Sequence, residues 1–173
     1  DTDQGPKQAS PETLYMAFST TKAVVSAAVW TLYEQGKLDL DASVSQLVPG
    51  FETHGKEAVK VSHLLTHTAG FPSAPFASSI WTDHAQRHAQ FASWHLDWEP
   101  GTRFQYHGTS SMWVLAAIIE AITKEDFRVF IDEGVLQPMK LSDIFVGLPD
   151  HAQAQVARVC HVGTKPTRES LES

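Results

Sequence analysis

The chain has 173 residues, of which 42% are apolar, with a formal net charge of −7 and a pI near 5.6. That length suits one ordinary domain or part of a larger one, and the apolar share suffices for a packed core. Dispersed basic residues and net acidity exclude a nucleic-acid partner and an anionic membrane surface, both of which need clustered Lys and Arg. Cys160 is the single cysteine, so an internal disulfide and a cysteine zinc cluster are excluded, and the redox compartment stays open. No run of about 18 apolar residues exists, so no membrane span is expected.

Residues 1–18 read as an entry segment, punctuated by Gly5, Pro6 and Pro11. They lack the basic and apolar regions of a signal peptide, and the chain does not begin with Met, which suggests a trimmed or partial product. Compartment and oligomeric state are left open.

From Ser19 the residues favour a helix to about Gln35, with Gly36 as the C′ residue closing the 19–36 helix. Val24, Val25, Ala28, Val29, Trp30, Leu32 and Tyr33 cover most of its circumference, which predicts a helix buried almost all round. Asp41 is expected to cap a short helix ending at Leu47, and Ser62 another from His63 to about Thr68. A polar helical stretch follows around 83–93, then a Trp-rich connection over 94–101. Met112, Val114, Leu115, Ile118, Ile119 and Ile122 mark a strongly apolar helix over about 109–123. Asp126 is expected to cap the next one. The 37–149 stretch therefore reads as helical with few strands, and 150–173 as a cut or frayed end.

Ser19 and Lys22 stand one turn apart at the start of the first helix, hence on one face. Such a lysine can take the serine's proton and make it a nucleophile. The bland alternative is a Ser N-cap followed by a first-turn lysine, and the spacing alone is one that chance nearly supplies. Lys22, however, lies at the positive end of the helix dipole and precedes apolar turns, so burial is expected to favour its neutral form. Histidines offer a competing chemistry, because His63 and His67, like His84 and His88, are four apart and could share a metal. The first pair lacks the glutamate of a His-Glu-x-x-His motif, since Leu64 stands there, and no metal is assigned. Trp94, Trp98, Phe104 and Trp113 read as core or cleft wall.

The segments Phe18-Ser19-Thr20-Thr21-Lys22, Tyr33 through Asp41, Val61 through Pro72 (VSHLLTHTAGFP), Glu99 through Tyr106 and Leu136 through Leu141 occur in a fixed order. Together they resemble the serine β-lactamase and penicillin-binding-protein superfamily, most closely the branch of class C β-lactamases, DD-peptidases and β-lactamase-like esterases. The likeness runs from about residue 12 to 149. It implies the α+β β-lactamase/transpeptidase-like fold, of which this chain carries the nucleophile helix and the helical region. What is present is mainly α, as a single partial domain over 1–173 with most of the central antiparallel sheet missing.

The resemblance further implies Ser19 as nucleophile, Lys22 as its base and Tyr106 as the proton relay to the leaving group. It implies no cofactor, and a small-molecule ester, amide or β-lactam as substrate. It also places a histidine at His67 for structural reasons. The family's second motif is Tyr-x-Asn, whereas this chain reads Tyr106-His107-Gly108. Gly108 cannot offer a side-chain amide to a substrate, which tilts the expectation toward esters. His107 is a partial substitute as donor, or else a solvent-facing histidine. The third motif, a Lys-Thr-Gly or His-x-Gly on a strand, has no counterpart in order; His161-Val162-Gly163-Thr164 comes too soon. Two function classes follow: a serine hydrolase forming an acyl-enzyme, and a catalytically silent binding module. Without the strand that completes the oxyanion hole, turnover by these residues alone is expected to be negligible.

Overall fold

The computed structural model describes residues 8–160 and 163. It separates into two compact units, Ser19–Val146 and a smaller one formed by Asp1–Phe18 with Gly147–Ser173. In the smaller unit, Leu14 pairs in parallel with Val156, and the Ala157 N–H donates to the Leu14 carbonyl at 2.8 Å. A 3-10 helix, Asp150–Gln155, leads into that pairing. His161, Val162 and Thr164 lie outside the described residues.

The larger unit carries five α-helices among its described residues: α1 (Thr21–Glu34), α2 (Val61–Leu65), α3 (His84–Ser93), α4 (Ser110–Thr123) and α5 (Phe127–Ile131). A π-helical turn, Asp132–Leu136, continues α5. Its β pairing is confined, among the described residues, to an isolated antiparallel bridge between Ser43 and Lys60. The chain is therefore mainly helical here, as its composition and periodicity predict.

Helix α4 is the hub and packs on α1, α2 and α5. Val114, Leu115, Ile118 and Ile119 have no exposed surface, and α1 meets them with Val25, Ala28, Val29 and Leu32. Fully burying a side chain of this kind stabilises by roughly 1.5–3 kcal/mol, so this seam fixes where the start of α1 sits. A second, aromatic part of the core gathers Phe51, Phe71, Phe91 and Trp94, with Phe51 edge-on to the other three. Trp94 is thus a core residue, while Phe104 is exposed.

Two charged side chains are taken into this interior. Lys56 has no exposed surface, and its Nζ donates to the Thr53 carbonyl, the Thr53 hydroxyl and the Trp94 carbonyl at 2.8–3.0 Å. Arg87, on α3, is 2% exposed and donates to Glu120 on α4 at 2.8 Å. A buried charge without such partners would cost several kcal/mol, so each pairing is a condition of the local packing.

Several local expectations need correction. Helix α1 buries one face only: Trp30 and Tyr33 are exposed and pack edge-to-face on each other. Hydrophobic character all round a helix does not say how many neighbours it has. The cap near residue 41 is Ser43, whose hydroxyl accepts from the Ser45 N–H, and it opens a 3-10 turn, Val44–Gln46, in place of an α-helix. Asp41 pairs instead with Lys60 at 3.0 Å. Helix α2 starts one residue before the expected cap, with Lys60 at the N-cap position and its N–H donated to the His63 ring. Asp126 caps α5 through its carboxylate as expected, and Asp83 likewise caps α3.

Candidate active site

The chain enters α1 through a 3-10 turn, Phe18–Thr20. Phe18 takes a left-handed φ of 46°, a conformation that costs a non-glycine residue about 1–2 kcal/mol. Ser19 therefore stands in a tight turn just before the first α-helical residue and does not cap the helix. The N-cap is Thr20, which makes no side-chain capping bond. The capping alternative for Ser19 finds no support in this geometry.

Lys22 reaches back along the same face and its Nζ donates to Ser19 Oγ at 3.1 Å. It is half-buried, not sealed in the core as its apolar surroundings in sequence suggest. From 87 residues away, the Tyr106 hydroxyl donates to the same Ser19 Oγ at 2.7 Å. Lys22 Nζ also lies 4.9 Å from the centre of the Tyr106 ring. Two polar groups therefore converge on one hydroxyl. Hydrogen bonding to Lys22 first, and to Ser19 second, holds the Tyr106 phenol below its usual range. Both neighbours favour the phenolate, and a phenol with a lowered pKa suits base catalysis. Tyr106 is 49% exposed, so the phenol faces the space a substrate would enter.

His107 is neither a donor to that space nor a solvent-facing side chain. It has no exposed surface; its Nε2 accepts the Phe71 N–H at 3.2 Å and its Nδ1 contacts the Gln105 carbonyl at 2.7 Å. An acceptor Nε2 requires the neutral ring with its proton on Nδ1. Burial, the largest influence, likewise lowers its pKa. The alternation of an exposed Tyr106 with a buried His107 and an exposed Gly108 explains the placement. Gly108 borders open space: a Cβ built there meets nothing within 4 Å.

His63, His84 and His88 are engaged separately. His63 accepts a backbone N–H, the His84 ring contacts Arg87 and Glu120, and His88 contacts the Pro49 carbonyl. No group of three or more metal-ligating side chains exists among the described residues. One contributor was not singled out from sequence for the site: the ring of His67 packs 4.9 Å from that of Tyr106. The only signal for it was its place in the VSHLLTHTAGFP segment.

The arrangement of these helices is shared with solved proteins. A penicillin-binding protein homologue from Caulobacter crescentus superposes with a TM-score of 0.81 at 27% identity, over 95% of this chain and 45% of that one. A family VIII carboxylesterase gives a TM-score of 0.76 at 28% identity, over 84% and 41%. A family model described as Beta-lactamase matches residues 2–172, and the chain belongs to that family. The esterase/beta-lactamase LipL of Mycobacterium tuberculosis is 25% identical over 155 residues, covering 87% of this chain and 35% of LipL. The chain spans about a third of the length of the curated relatives it matches.

Proposed function

We propose that this chain carries the nucleophilic part of a serine hydrolase that acts through an acyl-enzyme, with carboxylic esters favoured and β-lactams or D-Ala-D-Ala peptides next. The observation that carries the reading is the convergence of Lys22 and Tyr106 on Ser19 Oγ. Ser19 is the nucleophile, and Lys22 and Tyr106 act together as its base: Lys22 holds the phenol below its usual range, and Tyr106 takes and relays the proton. In its phenolate form Tyr106 accepts the Ser19 proton as Oγ attacks the substrate carbonyl. The phenol then returns that proton to the departing alkoxide or amine. A water activated in the same way releases the acyl group and restores Ser19. The N-terminal field of α1 favours the anionic tetrahedral intermediate.

Gly108 supports the preference for esters, since no side-chain amide stands there to hold an acyl-amide. Among the relatives, the family VIII carboxylesterase is named for ester cleavage, while LipL is named for both esterase and beta-lactamase. A silent binding module is the second reading. Gly108 favours it too, and among the described residues no strand runs beside α1 to supply a second oxyanion N–H.

Mass spectrometry of the full-length protein after incubation with a fluorophosphonate separates the two readings. A single adduct on the peptide containing Ser19, lost in Ser19→Ala, is the expected result. No adduct on correctly folded protein would sink the hydrolase reading. Substrate preference has its own test. Gly108→Asn places its side chain in open space, so it is expected to fold normally and to raise acylation by a penicillin about tenfold relative to an aryl ester, the scale of one good hydrogen bond. An unchanged ratio would show that residue 108 does not set the preference.

A further inference from the structure

The segment that carries Tyr106 is not held by the phenol alone. On one side of Tyr106, the Gln105 N–H donates to the His67 carbonyl at 3.1 Å. On the other, the His107 N–H donates to His67 Nδ1 at 3.2 Å. One residue thus grips both neighbours of Tyr106 while its ring lies against the Tyr106 ring. His67 itself is fixed in the left-handed conformation, with φ 57°, which turns its carbonyl and its ring toward the same segment.

We propose that His67 is a positioning residue for Tyr106: its neutral ring, protonated on Nε2 and accepting at Nδ1, fixes the phenol within reach of Ser19. The role rests on the hydrolase reading for its consequence, though not for its geometry. A protonated Nδ1 would point a second donor at the His107 N–H and release one end of the grip. Of the groups facing the ring, Lys22 favours the neutral form and only a Tyr106 phenolate would oppose it. Lys22 approaches from α1; the His107 ring lies 5.9 Å away in a near-parallel stack; and Tyr106 and Phe104 present their rings. Burial first, and Lys22 second, lower the pKa of His67.

Asparagine is the discriminating replacement. Its side-chain oxygen can stand in for Nδ1, and it tolerates a left-handed φ better than most residues. Leucine keeps bulk and removes the acceptor. The readouts are the pH titration of the Tyr106 ring carbon by NMR in tyrosine-labelled protein, assigned with Tyr106→Phe, and the rate of fluorophosphonate labelling at Ser19.

His67→Leu is expected to return Tyr106 toward the ordinary phenol range and to slow labelling by about 100-fold, the scale of a 1 Å misplacement. His67→Asn is expected to restore both. An unmoved Tyr106 titration in folded His67→Leu, or a His67→Asn as impaired as leucine, would overturn the proposal. If the leucine variant does not fold, the ring nitrogens of the unmodified protein decide. A His67 carrying its proton on Nδ1 at neutral pH excludes the grip, and one carrying it on Nε2 supports it. Should Ser19 take no adduct while the Tyr106 titration still follows His67 as described, the hydrolase reading fails and the positioning role stands.

Discussion

Lys22→Met is expected to slow fluorophosphonate labelling of Ser19 by about 10³-fold, within the range a positioned base contributes. Lys22 is the direct partner of Ser19 Oγ at 3.1 Å and the first cause of the lowered Tyr106 pKa. Methionine keeps the length of the side chain and removes both the hydrogen bond and the charge. The sign of the pH effect follows. With Lys22 present, the phenolate forms at lower pH than in a free tyrosine, so the rate climbs below the usual phenol range. Without Lys22 that rise moves to higher pH. Labelling rates measured by intact mass across alkaline pH, for the parent and Lys22→Met, test both the size and the direction. An unchanged rate and an unmoved profile would remove Lys22 from the chemistry.

Gly70→Ala is expected to destabilise the protein by about 3 kcal/mol, combining a left-handed conformation with a forced clash. Gly70 has φ 93°, and a Cβ built there comes within 2.5 Å of the Trp98 carbonyl oxygen. That oxygen is backbone, so it cannot swing aside as a side chain would. The Gly70 carbonyl in turn accepts the Asp97 N–H at 2.7 Å, locking the two segments together. For a chain of this size the change corresponds to a melting temperature lower by about 10 °C, readable by circular dichroism. Gly70 also lies between His67 and Phe71, which hold the Tyr106 segment through His107. Labelling at Ser19 should therefore fall along with the melting temperature. A variant that melts with the parent would show that the 97–98 segment yields easily.

Sequence carried much of this architecture because its main elements are decided locally. The apolar spacing of Val114, Leu115, Ile118 and Ile119 marked α4, and the carboxylate of Asp126 marked the start of α5. It did less well where two local solutions compete. Ser43 and Lys60 took the cap positions assigned to Asp41 and Ser62, because the chain there forms short turns joined by a bridge instead of full helices. Exposure of Trp30 and Tyr33 was equally hidden, since a helix pattern records affinity for apolar neighbours and not their presence.

The candidate site was legible to the same degree. Ser19 and Lys22 meet as their spacing predicts, although Ser19 lies in the 3-10 turn before α1. Tyr106 is 87 residues away, and only the ordered run of family-like segments suggested that the two would meet. His107 was misread because its fate depends on the Phe71 N–H, a partner 36 residues distant. The grip of His67 on both neighbours of Tyr106 depends on a backbone turn that no residue type announces.

Lys56 has a practical consequence for anyone applying amine chemistry to this protein. Its nitrogen is enclosed by the Thr53 and Trp94 acceptors and has no contact with solvent. Acylating reagents and crosslinkers that read out lysines will pass it over while the 53–94 crossing is closed. A modified Lys56 is then a record that the crossing has opened, written by the chain's own side chain without any introduced label.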